Sequence, residues 1–219
     1  MQAVLLDMDG VLVDSEYTYL ETKTQMLRDR GIDKDETYQY QFMGTTHEHM
    51  WQVMKEECQL PESVAFYIQE MNQRRHEMIA RDGIKAIKGV VDFVKALHGA
   101  GIPLAVASSS PRAEIEQFME ELGLDGCFQV YVSGEEVDHS KPAPDIFIEA
   151  ARQLGVSPKD CVVFEDTKNG SLAAHRAGAY TIGFDNPDYP SQDLSAANQI
   201  ISDFSKINLA DFLKDFEQK

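Results

Sequence analysis

The chain has 219 residues, 43% of them hydrophobic and 26% charged, which suits one large domain or a main domain carrying a smaller insertion. Its 37 acidic and 20 basic residues give a formal net charge of −17, which argues against nucleic-acid backbones and anionic membranes as partners, because both are bound through clustered Lys and Arg. No apolar run approaches the ~20 residues of a membrane span, and no basic-then-apolar leader is visible. Cys58, Cys127 and Cys161 are scattered, without disulfide or metal spacing, so a reduced, cytoplasmic protein is the expectation. A monomer is expected, though no sequence feature fixes the oligomeric state. Cys161, within an apolar run, reads as a small buried thiol.

Ala3-Val4-Leu5-Leu6 is the kind of short apolar run that makes a buried strand, and it leads straight into Asp7-Met8-Asp9-Gly10. Side chains alternate along a strand, so Asp7 and Asp9 are expected to leave its end on one side. Neighbouring carboxylates repel, and such a pair persists by binding a cation, sharing a proton or facing water. Gly10 lets the backbone turn just beyond them. The pair reads either as a Mg²⁺ site with one Asp free to attack phosphorus, or as an ordinary acidic strand-to-loop turn.

Residues 15–82 show helical periodicity and no period-2 run, which predicts an all-helical insertion. Thr45-Thr46-His47-Glu48 fits a capping box, with Thr45 as N-cap and Glu48 at N3, opening a helix through Met50, Trp51, Val53 and Met54. Pro61 is expected to mark the entry to a longer helix ending near residue 80.

From residue 84 onward, short apolar runs alternate with helical stretches, the pattern of βα units on a parallel sheet. Strands are predicted at 103–107, 129–132, 161–164 and 180–184, with a weaker one at 199–201; helices are predicted over 90–99, 111–122, 144–154, 170–177 and 209–216. The architecture expected is therefore α/β: a parallel-sheet core of residues 1–14 and 83–219, and a helical insertion of residues 15–82.

Ligands of open parallel sheets bind outside the carboxyl ends of the strands, and the polar motifs cluster at those ends. Ser108-Ser109-Ser110-Pro111 follows the 103–107 strand, with Ser110 a good N-cap and Pro111 a good first helical residue. Ser108 is left for phosphate binding, beside free N–H groups at a helix start. Ser140-Lys141-Pro142-Ala143-Pro144 stiffens a loop around one lysine, which either is a solvated surface charge or neutralises phosphate. Glu165-Asp166-Thr167 follows the 161–164 strand; its acids read as helix-capping groups or, with Asp7 and Asp9, as part of an oxygen-rich Mg²⁺ shell.

Taken together, these motifs resemble those of the haloacid dehalogenase superfamily of hydrolases, across essentially the whole chain. The four signatures stand as Asp7-Met8-Asp9-Gly10, Ala107-Ser108-Ser109, Lys141-Pro142 and Glu165-Asp166. The resemblance implies a Rossmann-like core with a helical cap. It also implies a nucleophile at Asp7, a general acid/base at Asp9, and phosphate binding by Ser108, Ser109 and Lys141. Mg²⁺ would be held by Asp7, Asp166 and the backbone carbonyl of Asp9, with Glu165 supporting the shell mostly through water. Dehalogenases of the superfamily lack the second acid of the first motif, so Asp9 speaks against carbon–halogen chemistry.

A phosphatase acting on a small phosphorylated sugar, polyol or organic acid is the first reading, and a β-phosphoglucomutase-like hexose phosphate mutase is the alternative. The mutase family carries a histidine where this chain has Tyr19 and an arginine where it has His47. The cap loop Gly44-Thr45-Thr46-His47 is where the family places specificity residues. Arg74, Arg75 and His76 lie behind it in sequence; the two arginines read more simply as a solvated helix face, and Met50, Trp51 and Met54 as cap core.

Overall fold

A computed structural model describes residues 1–43 and 45–217. The chain divides into two compact units, one of Met1–Asp14 with Ile84–Lys219 and one of Ser15–Gly83. Strand β1 (Ala3–Leu6) begins the first unit. The second contains α1 (Glu16–Arg28), α2 (Glu36–Gln39), α3 (His47–Glu57) and α4 (Val64–Asp82). The chain then returns to the first unit for α5 (Val90–Gly99), β2 (Leu104–Ser108), α6 (Arg112–Glu121), β3 (Val130–Ser133) and α7 (Asp145–Gln153). It ends with β4 (Cys161–Glu165), α8 (Lys168–Ala177), β5 (Tyr180–Phe184), β6 (Gln199–Ile201) and α9 (Leu209–Glu217).

The six strands form one parallel sheet in the order β3-β2-β1-β4-β5-β6. Leu6 of β1 lies level with Val106 of β2 and Phe164 of β4. The central strands are buried along their whole length because helices cover both faces, so they read as continuous apolar runs.

Residue parity divides the two faces. Ala3, Leu5, Ala105, Ala107, Cys161 and Val163 pack in one cluster with Ile146, Phe147 and Ala150 of α7 and Ala173 and Ala174 of α8. Phe164, of the opposite parity, meets Phe93 of α5, Phe204 and Phe212 of α9, with ring centroids 5.4, 5.6 and 6.0 Å away. The helical unit has its own core of Met26, Leu27, Phe42, Met50, Trp51, Met54, Leu60, Tyr67 and Met71, in which the Trp51 and Tyr67 rings stack at 5.1 Å.

Several local expectations are corrected. Thr46, not Thr45, caps α3: its hydroxyl accepts from His49 N–H at 3.2 Å, whereas Thr45 donates to Phe42 O at 2.7 Å. The long helix α4 starts at Val64 under a Ser63 cap rather than at Pro61, since Ser63 can accept from the Phe66 N–H. Ser110 does not cap α6, whose N-cap position is Pro111. Helix α8 starts at Lys168, two residues before the predicted 170, because the Thr167 hydroxyl accepts from Gly170 N–H at 3.0 Å. Ser108 belongs to the end of β2 and is fully buried. Cys161 is likewise buried, its thiol directed at Ser157 O. Among the described residues no helix is long and apolar enough to cross a membrane.

Phe204 touches Phe93, Phe164 and Phe184, all on the sheet face opposite α7 and α8. Phe204→Ala is expected to lower unfolding free energy by about 3–5 kcal/mol in urea titration, through lost burial plus the cavity left behind.

Candidate active site

Asp7 follows β1 directly, and its N–H donates to Phe164 O at 3.0 Å, so the sheet ladder continues to this residue. Asp7 and Glu165 have the parity of Leu5 and Val163, which directs them to the face covered by α7 and α8. The loop before α7 brings Lys141 to the same place. Its ammonium donates to Asp7 Oδ1 at 2.7 Å, Glu165 Oε1 at 2.8 Å and Ala107 O at 3.2 Å, so three acceptors match its three protons. The lysine side chain is only 8% exposed and lies 5.0 Å from the centre of the Phe147 ring. A solvated surface charge is thereby excluded.

Glu165 is wholly buried, with its second oxygen accepting from Thr167 N–H at 2.8 Å and Thr167 Oγ1 at 2.9 Å. Both oxygens are thus taken by protein donors. Gly170 makes this possible, because a Cβ there would overlap the Glu165 carboxylate. Gly10 plays a similar part for Asp166: its φ of +78° favours glycine, and a Cβ would strike the Asp166 carboxylate.

Oxygens of Asp7, Glu165 and Asp166 lie within 4.8 Å of one another. Three carboxylates face one ammonium, and burial, ahead of the charges, pushes Asp7 up to about 7. Asp166 is raised well above the usual carboxylate range, first by burial and then by Glu165 and Asp7. Asp166 Oδ1 is buried and accepts no hydrogen bond. An enclosed, partnerless oxygen in an acid-rich group fits a hard divalent cation, which takes oxygen ligands and offsets their repulsion. The Asp9 carboxylate stands outside this group and accepts from Ser110 Oγ at 2.7 Å.

Ser108 Oγ accepts from Ser110 N–H at 3.1 Å, while Ser109, next in the chain, is exposed. Sequence reasoning therefore picked out the acids, Lys141 and Ser108 but missed Gly170, Thr167 and the engagement of Ser110. The spacing Glu165-x-Thr167-x-x-Gly170 was the available signal for the first two.

In the helical unit, Gly44 lies outside the described residues, and Thr45 and Thr46 are exposed. His47 sits 5.4 Å from the Tyr19 ring, with Arg75 over that ring at 4.2 Å. Burial first, then Lys23 and Arg75, hold the His47 imidazole below its usual range. Arg75 is 5% exposed and donates to Thr18 Oγ1 at 3.0 Å, and Arg74 pairs with Asp29 and with Glu70, so neither belongs to a freely solvated face. His76 is exposed.

A family model of haloacid dehalogenase-like hydrolases matches residues 4–184, and the chain belongs to that family. It is 32% identical over 211 residues to the bifunctional riboflavin kinase/FMN phosphatase of Arabidopsis thaliana, covering 94% of this chain and 54% of that protein. The chain thus spans about half the length of that relative. It is 33% identical over 175 residues to the fructose-1-phosphate phosphatase of Escherichia coli, covering 80% of this chain and 92% of the relative. A HAD family hydrolase from Deinococcus radiodurans, solved with bound phosphate and sodium, superposes with a TM-score of 0.83 at 29% identity, covering 99% of this chain and 96% of that one.

Mg²⁺ should raise the thermal midpoint, by the equivalent of about 2.7 kcal/mol at a hundred times its dissociation constant. Its affinity should strengthen as pH rises through about 7, where Asp7 ionises in the metal-free protein. Asp166→Asn should do the reverse in calorimetry. It should stabilise the metal-free fold, by on the order of 1 kcal/mol, and cancel the gain from Mg²⁺.

Proposed function

We propose that this chain is a Mg²⁺-dependent phosphatase that hydrolyses a small phosphorylated metabolite, a sugar, polyol or organic acid phosphate, through an aspartyl-phosphate on Asp7. The observation that carries the reading is the buried convergence of Asp7, Lys141 and Asp166 at the carboxyl ends of β1 and β4 and in the loop before α7. The relatives named for FMN and fructose-1-phosphate support a phosphate monoester as the common chemical element and leave the leaving group open. The net charge of −17 supports a small substrate over nucleic acid or membrane.

Asp7 is the nucleophile. Its free oxygen attacks phosphorus as the bond to the leaving oxygen breaks, and Lys141, bound to the other oxygen, holds the carboxylate in one orientation. Lys141 also offsets negative charge between carboxylate and phosphate, and Glu165 keeps the ammonium in place. Ser108 and Ser109 are assigned to the phosphate oxygens. Asp9 gives a proton to the leaving alkoxide, then takes one from the water that attacks the aspartyl-phosphate, releasing phosphate and regenerating the Asp7 carboxylate. Asp7, Asp166 and the Asp9 backbone carbonyl would hold Mg²⁺, which when bound supplies charge neutralisation at the phosphate oxygens. Choice among leaving groups is assigned to the helical unit, with Thr45, Thr46 and His47 as its candidate specificity residues and Gly44 completing the sequence motif.

A malachite-green panel of phosphorylated metabolites should detect phosphate release that EDTA abolishes and Mg²⁺ restores. Asp7→Asn is expected to reduce turnover by more than about 10²-fold, having removed the attacking carboxylate. Conversion of a hexose 1-phosphate to its 6-phosphate with little free phosphate would instead establish a mutase, and full turnover by Asp7→Asn would exclude the nucleophile.

A further inference from the structure

The helical unit contains a buried lysine of its own, and it differs from Lys141 in what surrounds it. Lys23 is 4% exposed, yet no hydrogen bond or ion pair reaches its ammonium among the described residues. We infer that Lys23 is a specificity-determining residue whose ammonium binds an anionic group, a carboxylate or a second phosphate, carried by the leaving group of the substrate. The inference rests on the phosphatase reading above and narrows its substrate class.

Three helices of the unit converge on this group. Glu16, Tyr19 and Lys23 recur at three- and four-residue spacing, so they share one face of α1. Arg75 of α4 lies over the Tyr19 ring at 4.2 Å, and its Nε donates to Thr18 Oγ1 at 3.0 Å. His47, the first residue of α3, approaches the same ring at 5.4 Å. Beyond burial, Lys23 and Arg75 both disfavour the charged form of the His47 imidazole, which places the two cations on either side of it in charge terms. Glu16 and Glu48 are the acids that act on the group; Glu48 is exposed, so water screens it. The buried part therefore holds two permanent cations against one carboxylate.

A charge taken out of water without a partner is costly. At Lys141 three protein acceptors offset that cost. At Lys23 burial lowers the ammonium, and Glu16 compensates only in part. The aliphatic stem suits its place on α1 between buried Leu20 and Leu27, whereas the ammonium calls for an acceptor that the protein does not supply. A carboxylate or phosphate oxygen supplies it through a charge-assisted hydrogen bond. His47, half-buried beside the half-buried Tyr19, adds an N–H donor at the rim of the group. An uncharged hydroxyl in the same place would leave the buried cation without its counter-charge, so the site discriminates by charge. In a chain of net charge −17, an anionic leaving group needs such a local cation.

The test uses pairs of phosphate monoesters matched except for the anionic group. In 3-phosphoglycerate against glycerol 3-phosphate, and 6-phosphogluconate against sorbitol 6-phosphate, a carboxylate replaces a hydroxymethyl group; fructose 1,6-bisphosphate against fructose 1-phosphate adds a phosphate. The native chain is expected to favour the anionic member of at least one pair by about tenfold in kcat/KM, and Lys23→Met to remove that preference mainly through KM. Lys23→Arg, which keeps the charge, should keep most of it, and Lys23→Gln serves if the methionine variant fails to fold. If the native chain hydrolyses the neutral esters as readily as the anionic ones, or if Lys23→Met and Lys23→Gln retain the preference, the role of Lys23 is wrong and the phosphatase reading stands. If added acetate changes turnover of glycerol 3-phosphate while no preference exists, Lys23 takes a separate anion and the leaving-group assignment is overturned. If neither these esters nor p-nitrophenyl phosphate release phosphate with Mg²⁺, the underlying reading fails and this inference with it.

Discussion

Three carboxylates and one ammonium share a buried space at the end of a parallel sheet, and the architecture of the core around them follows from that imbalance. Lys141 reaches Asp7 and Glu165 directly and leaves the buried oxygen of Asp166 without a donor. Acids arranged in this way are costly to bury and cannot all ionise together, which is why Asp7 and Asp166 are raised. A fold under selection for stability alone would replace such a group with apolar side chains. Such a group makes sense where a divalent cation supplies the missing positive charge.

Placing these groups requires the whole core. Parity along β1 and β4 turns Asp7 and Glu165 toward one face, and the α7 side of that face carries the Phe147 ring against which the Lys141 ammonium lies. Two glycines then make room where ordinary side chains would not fit: Gly10 beside Asp166 and Gly170 beside Glu165. The aromatic cluster of Phe93, Phe164, Phe184, Phe204 and Phe212 on the opposite face gives the sheet a rigid backing, so the strand ends that carry the acids have little freedom to relax apart.

The helical unit follows a different logic. Its core rests on stacked Trp51 and Tyr67 and a set of methionines, and its polar groups are organised around Tyr19, between Arg75 and His47. His47 lies beside the Tyr19 ring, and burial together with Lys23 and Arg75 holds its imidazole below the usual range.

The parallel α/β sheet, the helical stretch after residue 14 and the four acidic, serine and lysine motifs were legible in the sequence, because each is carried by local periodicity or by a few adjacent residues. Hydrophobic alternation reports burial directly, and a Gly or Pro reports a backbone requirement wherever it falls. Capping was less legible: Thr45 and Thr46 are chemically equivalent candidates, and which one closes the helix depends on a backbone angle that neighbouring packing sets. What only the tertiary structure decided is which atoms of these distant groups bond to one another, such as Lys141 with Asp7 and Glu165, and Ser110 with Asp9. Lys141 is separated from Asp7 by 134 residues, and Ser110 from Asp9 by 101. The pairing of particular atoms over that range depends on strand order and register, which are global properties of the sheet.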